Sequence, residues 1–326
     1  LEFRRVLFRS LVNWVLLAIL VALACVPQFA DRYYIQLFTK IMTMAIFAMS
    51  LGLLVSGVGL VSFGHAAYFG LGAYLLALLS PANAGADVWW ILPLVLVGTT
   101  SVALLIGALA VRTSGVYFIM LTLAFSQMLF YLFHDSKFAG GSDGRFMNFR
   151  PVVSWMGTDL ISLNDRPTLF YVALALMGLS YLAIGMVMRA PFGRVILGIR
   201  VNESRMRALG FNAYLYKLAA FALAGGMAGL AGFIYATQYR VVNPALFHWR
   251  ESGLVLIMVI LGGLRSRLGP VVGAFALVLL EEALQGLTDH WLLAMGIFVI
   301  AVVLLLPDGL TGLFRRKAKG AEAADA

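Results

Sequence analysis

The 326-residue chain has a single cysteine, Cys25, which excludes an internal disulfide and a cysteine-based metal site. Cys25 lies inside an apolar run, where a buried, inert thiol is the default. The preceding Ala22-Leu23-Ala24 is only faintly like a lipoprotein cleavage site, because Ala22 stands where leucine is usual. Charge is also scarce. Charged residues make up 12% of the chain and hydrophobic ones 62%, with a mean hydropathy of +0.94, a balance no soluble globule shares. Acidic residues are scarcer than basic ones, 15 against 24, for a net charge of +9. The cations sit in short loops between apolar runs, so orientation in a bilayer accounts for them and nucleic acid is not an expected partner. No GxxxxGK[ST] motif occurs, so any ATP must be borrowed from a partner. The four histidines, His65, His134, His248 and His290, show no metal-ligand spacing such as HxxxH with one another, and no nucleophile and base converge. Neither a metal site nor an enzyme is expected. There is no serine- or proline-rich linker and no room for a soluble domain.

What remains is a chain of apolar segments. A bilayer core needs roughly 20 apolar helical residues to cross, and about ten segments qualify, near 11–29, 35–55, 60–80, 89–110, 114–134, 168–188, 215–239, 252–263, 268–287 and 291–306. The expected fold is an all-α, polytopic membrane helix bundle of about ten transmembrane or half-crossing segments. The segment near 252–263 is short enough to be a half-crossing helix packed inside the bundle. Residues 1–10 (LEFRRVLFRS) have little in common with the rest of the chain. Reverse translation of Arg4 to Ser10 reproduces the end of a common sequencing adapter, so residues 1–10 are expected to be a non-native scar. Residues 11–314 then form the transmembrane domain and 315–326 a basic, then small and acidic, tail. With Arg315, Arg316, Lys317 and Lys319 cytoplasmic, ten crossings place both termini inside. In the long outer loop Asp135, Asp143, Asp159 and Asp165 balance Lys137, Arg145, Arg150 and Arg166.

Between Arg189 and Lys217 the chain turns abruptly basic. Arg189, Arg194, Arg200, Arg205, Arg207 and Lys217 surround one carboxylate, Glu203. The spacing predicts a short helix with Asn202 as N-cap, a Glu203 to Arg207 pair at i,i+4 and Gly210 as the left-handed terminator. Such a helix beneath a membrane bundle is a handle for a cytoplasmic partner; a solvated loop with no partner is the alternative.

Glycines concentrate from Gly52 to Gly72, and Gly64, Gly70 and Gly72 with His65 are candidates for a broken or tilted element at the translocation path, with plain helix packing as the alternative. His65 is expected to make a structural hydrogen bond. Gly225 and Gly229 have the spacing that lets helices approach at backbone distance, within the bundle or against a second subunit. Glu281 and Glu282 end an apolar run and are expected to face water, which leaves the chain without the buried carboxylate an ion-driven carrier uses. Gly141, Ser142, Asp143 and Gly144 form a compact outer turn. The stretches from Gly64 and from Leu268 are weakly alike, each placing small residues after a glycine-rich bend.

Several ordered stretches together resemble one family, the LivM-type permease subunits of bacterial ABC importers for branched-chain amino acids. They are Ser62 to Tyr74, Arg112 to Gln127, Gly140 to Gly144, Pro191 to Phe221, Leu261 to Ala274 and Leu306 to Phe314. The resemblance implies an inner-membrane protein that pairs with a LivH-like permease subunit, two cytoplasmic ATPase subunits carrying ATP and magnesium, and a periplasmic solute-binding protein, with no cofactor in this chain. It implies that residues 189–214 hold the ATPase-coupling loop, with Asn202, Glu203, Arg205, Arg207 and Gly210 as its residues. Glu203 takes the acidic position of an EAA-type loop, where Ser204 and Arg205 replace two alanines. The turn at Gly141 to Gly144 becomes a candidate docking point for the binding protein. The resemblance leaves leucine, isoleucine and valine as default substrates, with urea, amides and aromatic acids carried by related systems. An ion-gradient-driven secondary transporter is the alternative function.

Overall fold

The computed structural model describes residues 23–81, 85–155, 158–306 and 308–312, and the side chains of 155–162 are outside the description. The expected scar at 1–10, the first part of the segment near 11–29 and the tail 315–326 fall outside the described residues.

The described chain is a helix bundle. Its helices are α1 (Arg32–Gly52), α2 (Ala66–Leu79), α3 (Val88–Ala110), α4 (Val116–His134), α5 (Arg166–Arg189), α6 (Pro191–Val201), α7 (Glu203–Ala208), α8 (Ala213–Tyr239), α9 (Trp249–Gly262), α10 (Gly269–Leu287) and α11 (Trp291–Leu305). Among the described residues, seven helical stretches are long and apolar enough to cross a membrane. Two others, α2 and α9, have 14 residues each and span about 21 Å. Near 60–80 the glycines left a broken or tilted element and plain helix packing as alternatives. The element is broken: α1 passes into a π-helix (Leu53–Val58), stops at left-handed Gly59 (φ +84°), and the chain stays non-helical to His65 before α2 begins. Leu54 O accepts from both Gly59 N–H and Leu60 N–H, which ends the helix without orphaned donors.

The second break mirrors the first. α8 ends at Arg240 in the left-handed region (φ +58°) and is followed by an extended pair of residues and the 3₁₀ turn Pro244–Phe247, and then α9. Thus α1–α4 and α8–α11 share one order: long helix, break, 14-residue helix, two longer helices. Their directions are opposed. α1 starts beside the end of α10, where Lys40 meets Glu281, and finishes beside α6, where Arg200 donates to Ser56 O. α8 starts beside α7 and finishes at the strands. This is the layout of an inverted repeat. The likeness between Gly64 and Leu268 runs differently: the counterpart of α2 is α9, while Leu268 leads into α10, the counterpart of α3. The N-terminal turns of α2 and α9 meet inside the bundle, where Ala66 N–H donates to Ser252 Oγ at 2.8 Å.

The all-α bundle is as expected, and short strands outside it pair in its connecting segments. β1 (Arg145–Phe146) pairs antiparallel with β4 (Val241–Val242), and β2 (Val152–Trp155) with β3 (Thr158–Ser162). β-Branched residues bounded by turns favour this pairing. The long loop's charges are not all solvated. Arg150 is buried and donates to Asn164 O (2.7 Å) and Gln238 O (3.1 Å), tying the loop to the end of α8.

α8 forms the packing centre. A Cβ on Gly225 would lie 2.4 Å from Ala103 Cβ, one on Gly229 2.4 Å from Thr99 Oγ1, and one on Gly232 1.9 Å from Phe69 O. The small residues of α8 therefore admit α2 and α3 of the same chain at backbone distance. Cys25, expected to be buried, is exposed on the helical stretch 23–29. A membrane bundle presents apolar residues outward as well as inward, so apolar context does not predict burial.

Candidate functional site

The basic segment folds as two helices, of which only the second was anticipated. α6 carries Pro191 at its first position, where no N–H is needed. It buries Val195, Ile196 and Ile199, one apolar stripe; Val195 and Ile199 pack with Ala213, Met206 and Tyr216. Phe192 stacks on Tyr216 with ring centroids 5.7 Å apart. α6 is thereby a platform for α7.

α7 is capped as its sequence dictates. The Asn202 side chain accepts from Arg205 N–H at 2.9 Å. At the other end Gly210 (φ +88°) donates to Arg207 O at 2.9 Å and Phe211 N–H to Met206 O at 3.1 Å, a Schellman closure. Glu203 accepts from Arg207, the expected i,i+4 pair. It also accepts from Lys217, which the sequence placed 14 residues away and which is buried near the start of α8. Burial pushes the Glu203 carboxyl up, but the hydrogen bonds and charges of Lys217 and Arg207 outweigh it and hold the group below its ordinary value. Glu203 is thus the brace between α7 and the bundle, and the outward surface is left to others. Arg205 is exposed, the Arg207 side chain is 66% exposed, and Val201 and Leu209 are 85% and 66% exposed. Cations therefore stand beside bare aliphatic side chains on this capped projection.

The other predicted residues are scattered. His65 is wholly buried at the start of α2, its Nε2 2.9 Å from Ser50 Oγ and its ring stacked on Phe47 at 5.8 Å, the structural hydrogen bond expected of it. Gly64, Gly70 and Gly72 sit in close contacts: added Cβ atoms would lie 2.1 Å from Thr122 O, 2.9 Å from Phe247 Cδ1 and 2.2 Å from Gly229 O. They hold helices together around the first break. Gly141, Ser142, Asp143 and Gly144 form an exposed 3₁₀ turn leading into β1, with Gly141 and Gly144 at positive φ and Ser142 Oγ donating to Asp143 Oδ1 at 3.2 Å.

Sequence reasoning missed the charges of the second break. Glu281 and Glu282, expected to face water, are half-buried against α1: Glu281 lies 3.7 Å from Lys40 Nζ and Glu282 accepts from Tyr33. Glu251, in the first turn of α9, is buried further, its side chain 19% exposed, with Arg250 Nη2 at 3.8 Å. The signal was the Arg250-Glu251 pair immediately before a short apolar segment, where charge is costly unless it faces protein or water. Among the described residues no group of three or more histidine, cysteine, aspartate or glutamate side chains could hold a metal ion.

A polytopic bundle with an inverted repeat, discontinuous helices at its centre and a capped helix projecting from one end defines the class: a membrane permease component. The chain belongs to the family described as branched-chain amino acid transport system/permease component, which matches residues 33–306. It is a multi-pass membrane transport subunit and not an enzyme. Two relatives carry the name high-affinity branched-chain amino acid transport system permease protein LivM. Those of Salmonella typhimurium and Escherichia coli are each 28% identical over 323 aligned residues, covering 93% of this chain and 76% of the relative. The xylose transport system permease protein XylH of Escherichia coli is 32% identical over 133 residues, 38% of this chain and 33% of that protein. No solved structure is significantly similar to the chain.

Proposed function

We propose that this chain is one permease subunit of a binding-protein-dependent ABC importer that moves branched-chain amino acids, or a related small solute, across the bacterial inner membrane. The observation that carries the reading beyond the family is α7, a capped helix braced to the bundle through Glu203 and Lys217 while Arg207, Val201 and Leu209 remain uncovered. Residues 189–214 are then the coupling segment. A LivH-like subunit completes the translocation path, two cytoplasmic ATPase subunits bind ATP and magnesium, and a periplasmic binding protein docks at the turn of Gly141 to Gly144. In this orientation α6 and α7 are cytoplasmic, β1–β4 periplasmic and both termini cytoplasmic.

Coupling follows from rigid-body mechanics. Closure of the ATPase pair moves the docked α7, and the brace to Lys217 passes that motion to α8, which packs on α1, α2 and α3. Loaded binding protein and ATPases favour different bundle conformations, which gives the solute its direction. A secondary carrier remains the second reading, favoured by the half-buried Glu251 and Glu281.

Proteoliposomes separate the two. ATP-dependent leucine uptake is expected only with binding protein and ATPases present; gradient-driven uptake by this chain alone would overturn the importer reading. Orientation is tested in a Cys25→Ala background, where Ser204→Cys and Ser154→Cys are expected to label from opposite sides. Same-side labelling would reject the topology.

A further inference from the structure

We infer that the cavity beside the second helix break is a substrate site built for a zwitterionic amino acid with an aliphatic side chain. The inference rests on the permease reading above and names a place for its substrate. The cavity has a volume of about 440 Å³ and lies between α1, α8, α9, α10 and α11 on the strand side of the bundle. Its walls are of two kinds. Lys40, Arg250, Glu251 and Glu281 bring two cations and two carboxylates to one space, while Leu254, Val255, Met258 and Leu277 supply an apolar floor.

The charged groups are paired loosely. Lys40 Nζ is 3.7 Å from Glu281 and Arg250 Nη2 is 3.8 Å from Glu251, whereas charge-assisted hydrogen bonds close to about 2.7–2.9 Å. Lys40, Glu281 and Glu251 keep 27%, 22% and 19% of their side chains exposed, whereas Arg250 keeps 71% and stays largely in solvent. All four line the same cavity, and at these separations neither pair closes a charge-assisted hydrogen bond. The balance of sign sets the ligand class. A lone carboxylate or a lone ammonium would meet one like charge for each opposite one, and an uncharged solute would leave both pairs unused. A zwitterion satisfies both: its carboxylate takes Lys40 or Arg250, its ammonium takes Glu251 or Glu281, and its side chain covers the apolar floor. Few, well-placed polar groups on an apolar wall are what small-solute pockets use.

The test uses the assembled importer in a Cys25→Ala background, in nanodiscs without binding protein. L-Leucine is expected to slow maleimide alkylation of Leu254→Cys, and of Leu292→Cys as an independent position. Leucinamide, lacking the carboxylate, and 4-methylpentanoate, lacking the ammonium, are expected to protect about tenfold less well. Adding Glu251→Gln or Lys40→Met should remove protection while ATPase subunits still copurify, and Lys40→Arg should restore it. Equal alkylation rates with and without leucine, or equal protection by leucine and the two analogues, would overturn the site. ATP-driven leucine uptake by an importer showing no protection would overturn the site alone. Protection in a chain that moves leucine without ATP would support the site and overturn the importer reading.

Discussion

The break between α1 and α2 and the break between α8 and α9 share one layout, yet small residues and a buried histidine close the first while loosely paired charges line the second. At the first, Gly64, Gly70 and Gly72 let Thr122, Phe247 and Gly229 approach within distances no side chain permits, and His65 is held by Ser50. At the second, Arg250 and Glu251 enter the first turn of α9 and face a cavity shared with Lys40 and Glu281. Broken helices in a membrane expose backbone groups that must be satisfied. One break is satisfied by close packing, and the other leaves polar capacity for a solute. The comparison teaches that an inverted repeat can keep its backbone plan while dividing labour between its halves.

The largest effect should separate the packed half from the open one. Gly232→Leu would press a side chain into Phe69 O, whereas nothing lies within 4 Å of a Cβ on Gly253 in α9. The first is expected to destabilise by about 3 kcal/mol and Gly253→Leu by less than about 1 kcal/mol, read as thermal melting of the purified protein. Equal melting of both variants would break the distinction.

Next comes the brace. Glu203→Gln leaves Lys217 buried without its carboxylate and is expected to cost about 2 to 3 kcal/mol, below the range for fully buried pairs because Glu203 keeps 30% of its side chain exposed. The pH dependence has a definite sign. The folded pKa of Glu203 is lowered from 4.5, so its contribution is complete above that value and is lost as pH falls through the lower folded value. The stability gap between wild type and Glu203→Gln should therefore shrink below pH 4.5. A gap independent of pH would remove Glu203 from the brace.

Smaller still, Ser252→Ala takes the acceptor from Ala66 N–H where the two half-helices meet, an expected loss of about 1 to 2 kcal/mol in the same melting measurement. An unchanged melting temperature would mean that the two half-helices do not depend on this contact. Least for stability is Arg207→Glu. An exposed pair contributes at most about 1 kcal/mol, so the variant should insert and fold normally, yet copurify poorly with ATPases and lose ATP-driven uptake. Full uptake by this variant would detach α7 from coupling.

Legibility followed the range of the interactions. Asn202, Glu203, Arg207 and Gly210 were readable because capping and i,i+4 pairing act within one or two turns of chain. The pairing of Glu203 with Lys217 was not, because it depends on how α7 folds back on α8. Helix α6 left a readable signal in Pro191 and the apolar residues Val195, Ile196 and Ile199, masked by the arginines interleaved with them. The charges of the second break were legible as residues but not as a site, since Lys40, Glu251 and Glu281 belong to three separate helices.

Composition and the length of the apolar runs together determined a multi-pass helical bundle, because a chain with 62% hydrophobic and 12% charged residues must satisfy its backbone in lipid internally, and apolar runs of about 20 residues do so as helices. Glycine spacing determined that helices come close, and local capping determined α7. Only the tertiary structure decided which helices the glycines join, that residues 59–65 break the helix rather than continue it, and that Glu251 and Glu281 share a cavity with two cations. Those outcomes depend on contacts between residues far apart in the chain, where geometry in three dimensions, and not the order of residues along one helix, sets which groups meet.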